Sequence, residues 1–278
     1  MKRNKIICVG SLNSINFEIL SKSIPILFKK KIIFFVVGNR IKIKKNFGFY
    51  KLDNLIRNIN KISDYEPKKI NVIDSNLNKK KYSNELLNDI SVAYDLAIRT
   101  NSDLITMPIN KYEIKKKNNF NGVTEFLGKL SKTKTYMLMR GELFSIIPLT
   151  THIPLKKVSK NFVNELINID NLFKFLDKNN FLFKNIIFLG INPHAGENGS
   201  IGHEEKLIKS KIKKLRDKFK NFKFKGPVSA DSAFKNIEKN SLYVSAFHDQ
   251  ALIPFKILNK RQINFTIGLK IRRFSPAH

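Results

Sequence analysis

With 278 residues, 42% of them hydrophobic, the chain is long enough to bury a sizeable core as one large domain or two lobes. Twelve Gly and nine Pro exclude a fibrous or low-complexity protein, and a lone Cys8 excludes an intrachain disulfide. The formal charge of +30 would suit nucleic acid, but the 52 basic residues are spread along the chain beside Asn, Ile and Phe. No aromatic and basic residues interleave as in a nucleic-acid module, so the expectation is solvated lysine faces and no nucleic-acid partner. Such a surface would still steer a phosphorylated substrate inward. The apolar run after Met1 is too short for a signal peptide, and no stretch approaches the ~20 apolar residues of a membrane span. The expected location is cytoplasmic, with no membrane partner.

In chain order, residues 5–9 read as a first strand, followed by a loop from Gly10 and a helix to about Phe28. Residues 32–37 are a β-branched and aromatic run, a second buried strand ending at Gly38. From Arg40 to Lys81 the sequence is rich in Lys and Asn, and only residues 70–73 are strand-like. Residues 83–99 form an amphipathic helix with Leu86, Ile90, Ala93 and Ala97 on one stripe, leading into a strand at 103–107 and then Pro108-Ile109-Asn110-Lys111. Gly122-Val123-Thr124-Glu125 opens another helix, with Thr124 or Glu125 at its positive end. Residues 135–139 and 144–148 are strands, and a helix is predicted over 158–176.

The apolar run 186–189 precedes Ile191-Asn192-Pro193-His194-Ala195-Gly196-Glu197, a loop with glycines at 196, 199 and 202, and a helix over 204–219. Strand, Gly-rich loop and helix in that order is where open α/β sheets place ligands. Gly226 to Asp231 and a short helix follow, then a strand at 242–247 delivering His248-Asp249-Gln250, and a last strand at 264–268. Alternating strands and helices make the fold class α/β with a mostly parallel sheet flanked by helices.

Three of the five histidines, His152, His194 and His248, each follow an apolar strand at its carboxyl end. A lone loop histidine is more often structural than catalytic. Neutral imidazoles converging from separate strand ends would make a site for Zn²⁺ or a similar divalent ion.

Asn192-Pro193-His194-Ala195-Gly196-Glu197, with Gly202 and Glu204-Glu205, resembles the signature of the 4-hydroxythreonine-4-phosphate dehydrogenase family of pyridoxal phosphate biosynthesis. Further blocks agree in order: Pro108-Ile109-Asn110-Lys111, Thr124-Glu125, residues 151–155, Ser229-Ala230-Asp231, His248-Asp249-Gln250, Asn264, Arg273 and Ser275-Pro276. The resemblance implies two interleaved α/β lobes with a cleft, as in isocitrate and isopropylmalate dehydrogenases, with residues 1–278 forming one catalytic unit. It implies a homodimer whose active site is shared. One divalent metal (Zn, or Mg or Co) would be held by His152, His194 and His248, with Asp231 and Asp249 among the acidic residues that hold the site together. Thr124, Lys256, Asn264 and Arg273 would bind the substrate, chiefly its phosphate, and Lys111 is a further polar candidate.

The implied reaction is oxidation of 4-phosphooxy-L-threonine by NAD or NADP followed by decarboxylation to 3-amino-2-oxopropyl phosphate. No dinucleotide-binding residue is identified. Three departures from the family pattern stand out. The first loop keeps only Gly10, Ile15 and Glu18 of a glycine-rich pattern. Val123 stands where a histidine is usual. A Gly-Thr-Ala segment and helical tail, expected past His278 and contributing to the dinucleotide site, are not in this sequence, so the chain reads as divergent and C-terminally truncated. A relative acting on another 4-phosphorylated 3-hydroxy acid, or a weakly active homologue that still dimerises and binds metal, are the alternatives.

Overall fold

The computed structural model describes residues 3–77, 81–114, 120 and 122–276, and the chain divides into two compact units. The first contains residues 1–133 and 269–276, the second residues 134–268.

In the first unit six parallel strands lie in the order β3-β4-β2-β1-β5-β12. They are β1 (Lys5–Cys8), β2 (Phe34–Gly38), β3 (Ile56–Ile59), β4 (Ile70–Asp74), β5 (Asp103–Thr106) and, from the end of the chain, β12 (Arg273–Pro276). Strand period sends alternate residues to opposite faces. Ile6, Cys8, Phe35 and Val37 pack with Ile90, Ala93 and Ala97 of α3 (Glu85–Arg99) and Leu127 of α4 (Val123–Ser131). Ile7, Val9, Phe34 and Val36 pack instead with Phe17, Leu20 and Ile24 of α1 (Asn16–Lys29) and with Ile43 and Phe47 of α2 (Arg40–Gly48). A sheet apolar on both faces needs helices on both, which is why these strands read as continuous hydrophobic runs.

The structure corrects the reading of residues 40–81, which contain α2 and β3 besides β4. Helix α2 buries only Ile43 and Phe47, too narrow a stripe to show as periodicity. Its start is set by Asn39, whose side chain accepts from the Ile41 and Lys42 amides.

In the second unit the order is β11-β6-β7-β10-β8-β9. Strands β7 (Ser145–Thr150), β10 (Ser241–Phe247), β8 (Asn185–Leu189) and β9 (Lys223–Val228) are parallel, whereas β6 (Tyr136–Gly141) runs antiparallel to both β7 and β11 (Gln262–Ile267). The single helix predicted over 158–176 is two, α5 (Val158–Ile167) and α6 (Asp170–Lys178). The break is held by Lys211 of α7 (Glu204–Lys218), which donates to the Ile167 carbonyl and pairs with Asp170. Residues 230–236 form turns and not the predicted short helix, while α8 (His248–Leu258) begins at the end of β10. Strands β9 and β12 were absent from the sequence reading: β9 begins with alternating lysines at a sheet edge, and β12 has four residues. Among the described residues no helix is long and apolar enough to cross a membrane.

Two buried groups of the first unit shape its chemistry. Burial pushes the Cys8 thiol well above its usual range, so it packs as an inert hydrophobe. Burial also raises the Asp89 carboxyl to about 7, against the lowering influence of Ser75. The folded state therefore holds a proton that the unfolded chain releases. That contribution to stability is full below pH 3.8, the ordinary carboxyl value, and is lost as the pH rises through about 7. Within that window the slope is at most roughly 1.4 kcal/mol per pH unit. Asp89→Asn should abolish this decline, so the variant gains over the parent in thermal melts at pH 8 and not at pH 4. Equal pH profiles would show that Asp89 is solvated when charged.

Candidate active site

The second unit gathers most of the candidate residues. Strands β7, β10 and β8 are parallel neighbours, so their carboxyl ends share one edge of the sheet. His152 follows β7, His248 opens α8 directly after β10, and His194 lies in the loop after β8. The rings of His152 and His248 have centroids 5.6 Å apart. His248 Nδ1 shares a hydrogen bond of 2.7 Å with Asp249 Oδ1, which orients the ring and leaves Nε2 as its other nitrogen. The junction is tied down by Gln250, whose Oε1 accepts from the Ala246 amide and whose Nε2 donates to the Gly190 carbonyl, each at 2.8 Å.

Asp231 lies beyond β9, next in the sheet after β8. The Ser229 hydroxyl donates to it and holds its carboxyl below the usual range, and nearby His194 adds to the lowering. The strand order therefore places His152, His248 with Asp249, His194 and Asp231 along one sheet edge. Their donor types suit a divalent ion. The triad is not closed, however: among the described residues no three His, Cys, Asp or Glu side chains are grouped closely enough to hold one. His152 and His248 are brought together, while His194 is linked to Asp231 only through its lowering effect on that carboxyl.

The His194 loop is unusual in its backbone. Residues 194–198 are successively left-handed, with φ of 51°, 52°, 77°, 40° and 57°. Four of the five are not glycine, and each such residue costs about 1–2 kcal/mol. Gly196 is required where it stands, since a Cβ there would lie 2.6 Å from a Glu205 oxygen.

Buried Glu205 holds the entry to the loop. Its Oε1 accepts from the Ile191 and Asn192 amides at 3.0 and 2.9 Å, and its Oε2 from Asn192 Nδ2 at 2.9 Å. Glu204 accepts from the same Asn192 side chain and from Ser159. These two glutamates are positioning residues for which the sequence reading had no role. The signal was present in a double carboxylate at the start of a Lys-rich helix just after the loop. Hydrogen bonds to a charged group contribute roughly 1.5–3 kcal/mol each. Glu205→Ala is accordingly expected to speed amide exchange at Ile191 and Asn192 by at least roughly 100-fold. Unchanged exchange would mean the loop holds itself.

Lys256 is exposed on α8, and Asn264 lies on β11 with a buried Oδ1 that has no hydrogen-bond partner among the described residues.

The first unit holds the remaining candidates. Arg273 of β12 is buried, and its Nε donates to Thr106 Oγ1 at 2.9 Å. Its Nη2 also reaches that hydroxyl, and Nη1 lies 3.4 Å from Thr124 Oγ1. Burial pushes the guanidinium down to about 10, opposed by the Glu125 carboxylate. Thr124 is the second residue of α4, so a buried cation, a hydroxyl and a helix N-terminus meet there. Val123 packs into the apolar core beside α3, which accounts for its side chain. Lys111 is exposed at the start of a single 3₁₀ turn.

The altered first loop has its own replacement for glycine. Buried Asn16 donates to the carbonyls of Val9, Ser11 and Pro108, and Ser11 Oγ accepts from the Asn110 amide at 2.7 Å. Only Gly10 in that loop is left-handed, at φ 67°, and a Cβ there would lie 2.3 Å from the Pro108 carbonyl. The glycines that the loop lacks are thus not needed for its path.

Imidazoles and carboxylates at the carboxyl ends of adjacent parallel strands are the mark of an α/β enzyme. Residues 30–278 match the model of the pyridoxal phosphate biosynthetic protein PdxA, and the chain belongs to that family. It is 35% identical over 268 residues to the 4-hydroxythreonine-4-phosphate dehydrogenase of Aquifex aeolicus, covering 90% of this chain and 82% of the relative. Against the enzyme of the same name from Sulfurihydrogenibium sp. it is 33% identical, covering 98% and 88%. The crystal structure of 4-hydroxythreonine-4-phosphate dehydrogenase from Klebsiella pneumoniae superposes with a TM-score of 0.76 at 25% identity, over 100% of this chain and 91% of that one.

Proposed function

We propose that the chain is a 4-hydroxythreonine-4-phosphate dehydrogenase, oxidising its phosphorylated hydroxy amino acid with NAD or NADP. The observation that carries this reading beyond family membership is the set of histidines and aspartates on one edge of the second unit's sheet. In this reading residues 1–278 work as one catalytic unit, and the chain acts as a homodimer.

The substrate would lose a hydride from the carbon bearing its 3-hydroxyl to the nicotinamide, and the hydroxyl proton to a base. The resulting β-keto acid then loses CO₂, its carbonyl accepting the electron pair, to leave 3-amino-2-oxopropyl phosphate. His152, His194 and His248 would hold a divalent ion, Zn²⁺ by donor type or else Mg²⁺ or Co²⁺, which when bound acidifies a coordinated hydroxyl. Asp249 fixes the His248 ring by its bond to Nδ1, and Asp231 acts from the His194 side. Arg273 and Thr124 would receive the phosphate, with Lys256 and Asn264 as further substrate contacts. Lys111 is left as a polar residue near the substrate, without an assigned step.

The test is formation of reduced nicotinamide with 4-phosphooxy-L-threonine, compared with a tetronate 4-phosphate. Turnover of the amino acid, with loss of activity on chelation, is expected. Turnover of the tetronate alone would move the assignment to the related substrate, and no turnover of either would refute the dehydrogenase.

A further inference from the structure

The second unit contains a cavity of about 400 Å³ that the proposed reaction does not use. Ser145 and Ser241, at the amino ends of β7 and β10, line its floor. These strands have six and seven residues and carry His152 and His248 beyond their other ends. A rise of about 3.3 Å per residue puts the cavity roughly 20 Å from those histidines.

Its walls have two characters. The apolar part is Phe181 and Phe183, whose rings stack with centroids 5.8 Å apart and planes inclined by 22°, with Leu182 at the rim. Arg140 and Lys239 also line the cavity; both are exposed, and neither has an ion-pair partner among the described residues. The nearby Glu142 carboxylate accepts from the Lys260 amide at 3.2 Å.

We propose that this cavity is a second ligand site, taking a small aromatic anion: an aryl group against Phe181 and Phe183, and a phosphate or carboxylate at Arg140 and Lys239. The volume lies within the range of small-molecule sites, where an apolar lining carries a few placed polar groups. The excess of two cations over one engaged carboxylate sets the sign of the ligand.

The chain has no tryptophan, so Leu182→Trp, at a position 80% exposed, places a unique fluorophore at the rim. Titration of that variant with phenyl phosphate is expected to give a saturable emission change, and benzoate should do the same. Phenol and inorganic phosphate should each bind at least tenfold more weakly, since each lacks one half of the recognition. Adding Arg140→Ala and Lys239→Ala should raise the phenyl phosphate dissociation constant at least tenfold. In the unaltered protein, phenyl phosphate should protect amides in residues 140–145 and 239–241 from hydrogen exchange. A flat titration with no such protection, or equal affinity after removal of both cations, would overturn the site.

Discussion

Purified protein carrying His248→Ala is expected to lose most of its bound divalent metal, as are His152→Ala and His194→Ala. Each imidazole would be one of only three protein donors, and two ligands seldom retain an ion against water. Loss of a residue that merely orients a ligand weakens metal binding roughly 10–100-fold. Asp249→Asn should fall in that range, because Asp249 meets His248 Nδ1 at 2.7 Å and acts through the ring. The histidine variants should exceed it. Asp231→Asn should resemble Asp249→Asn if its proximity to His194 reflects the same orienting role. Elemental analysis of the dialysed proteins decides the matter without any assay of turnover. Full metal content in all three histidine variants would sink the assignment. Retention in His194→Ala alone would restrict the ion to the His152–His248 pair.

Arg273→Met carries the other large effect. The guanidinium is buried with Thr106 and near Thr124, at the start of α4. A phosphate there would receive charged hydrogen bonds worth roughly 1.5–3 kcal/mol each. Two of them correspond to at least roughly 100-fold in affinity. Calorimetry should therefore show that Arg273→Met weakens binding of 4-phosphooxy-L-threonine by about that factor, while affinity for unphosphorylated 4-hydroxythreonine changes little. Methionine fills much of the buried volume and removes the charge, so the comparison between the two ligands controls for any loss of packing. Arg273→Lys should recover only part of the effect, since an ammonium cannot serve Thr106 and a phosphate with the same planar fork. If the parent protein binds 4-hydroxythreonine equally well with and without its phosphate, the phosphate assignment fails.

The sequence by itself determined the alternation of strands and helices. Runs such as Phe34-Phe35-Val36-Val37 can be satisfied only between two layers of helices, and the stripe of α3 faces only one way. It also determined that three histidines follow three strands, since an apolar run and the residue after it are adjacent in the chain.

Tertiary structure decided what lies beside what. That β10 lies between β7 and β8, and so places His248 next to His152, depends on long-range pairings such as Leu242 with Ser145 and Ser241 with Asn185. The clamp of Glu205 on the Asn192 turn, the left-handed path of residues 194–198, and the replacement of loop glycines by Asn16 are likewise invisible to periodicity. They arise from hydrogen bonds whose partners are chosen by the fold. The elements that escaped the sequence, α2, β3, β9, β12 and α8, are short, lysine-rich, at an edge or, in α8, interrupted by Pro254. Their few buried side chains make a weak pattern, and it is the neighbouring strand or a capping Asn39 that fixes them in place.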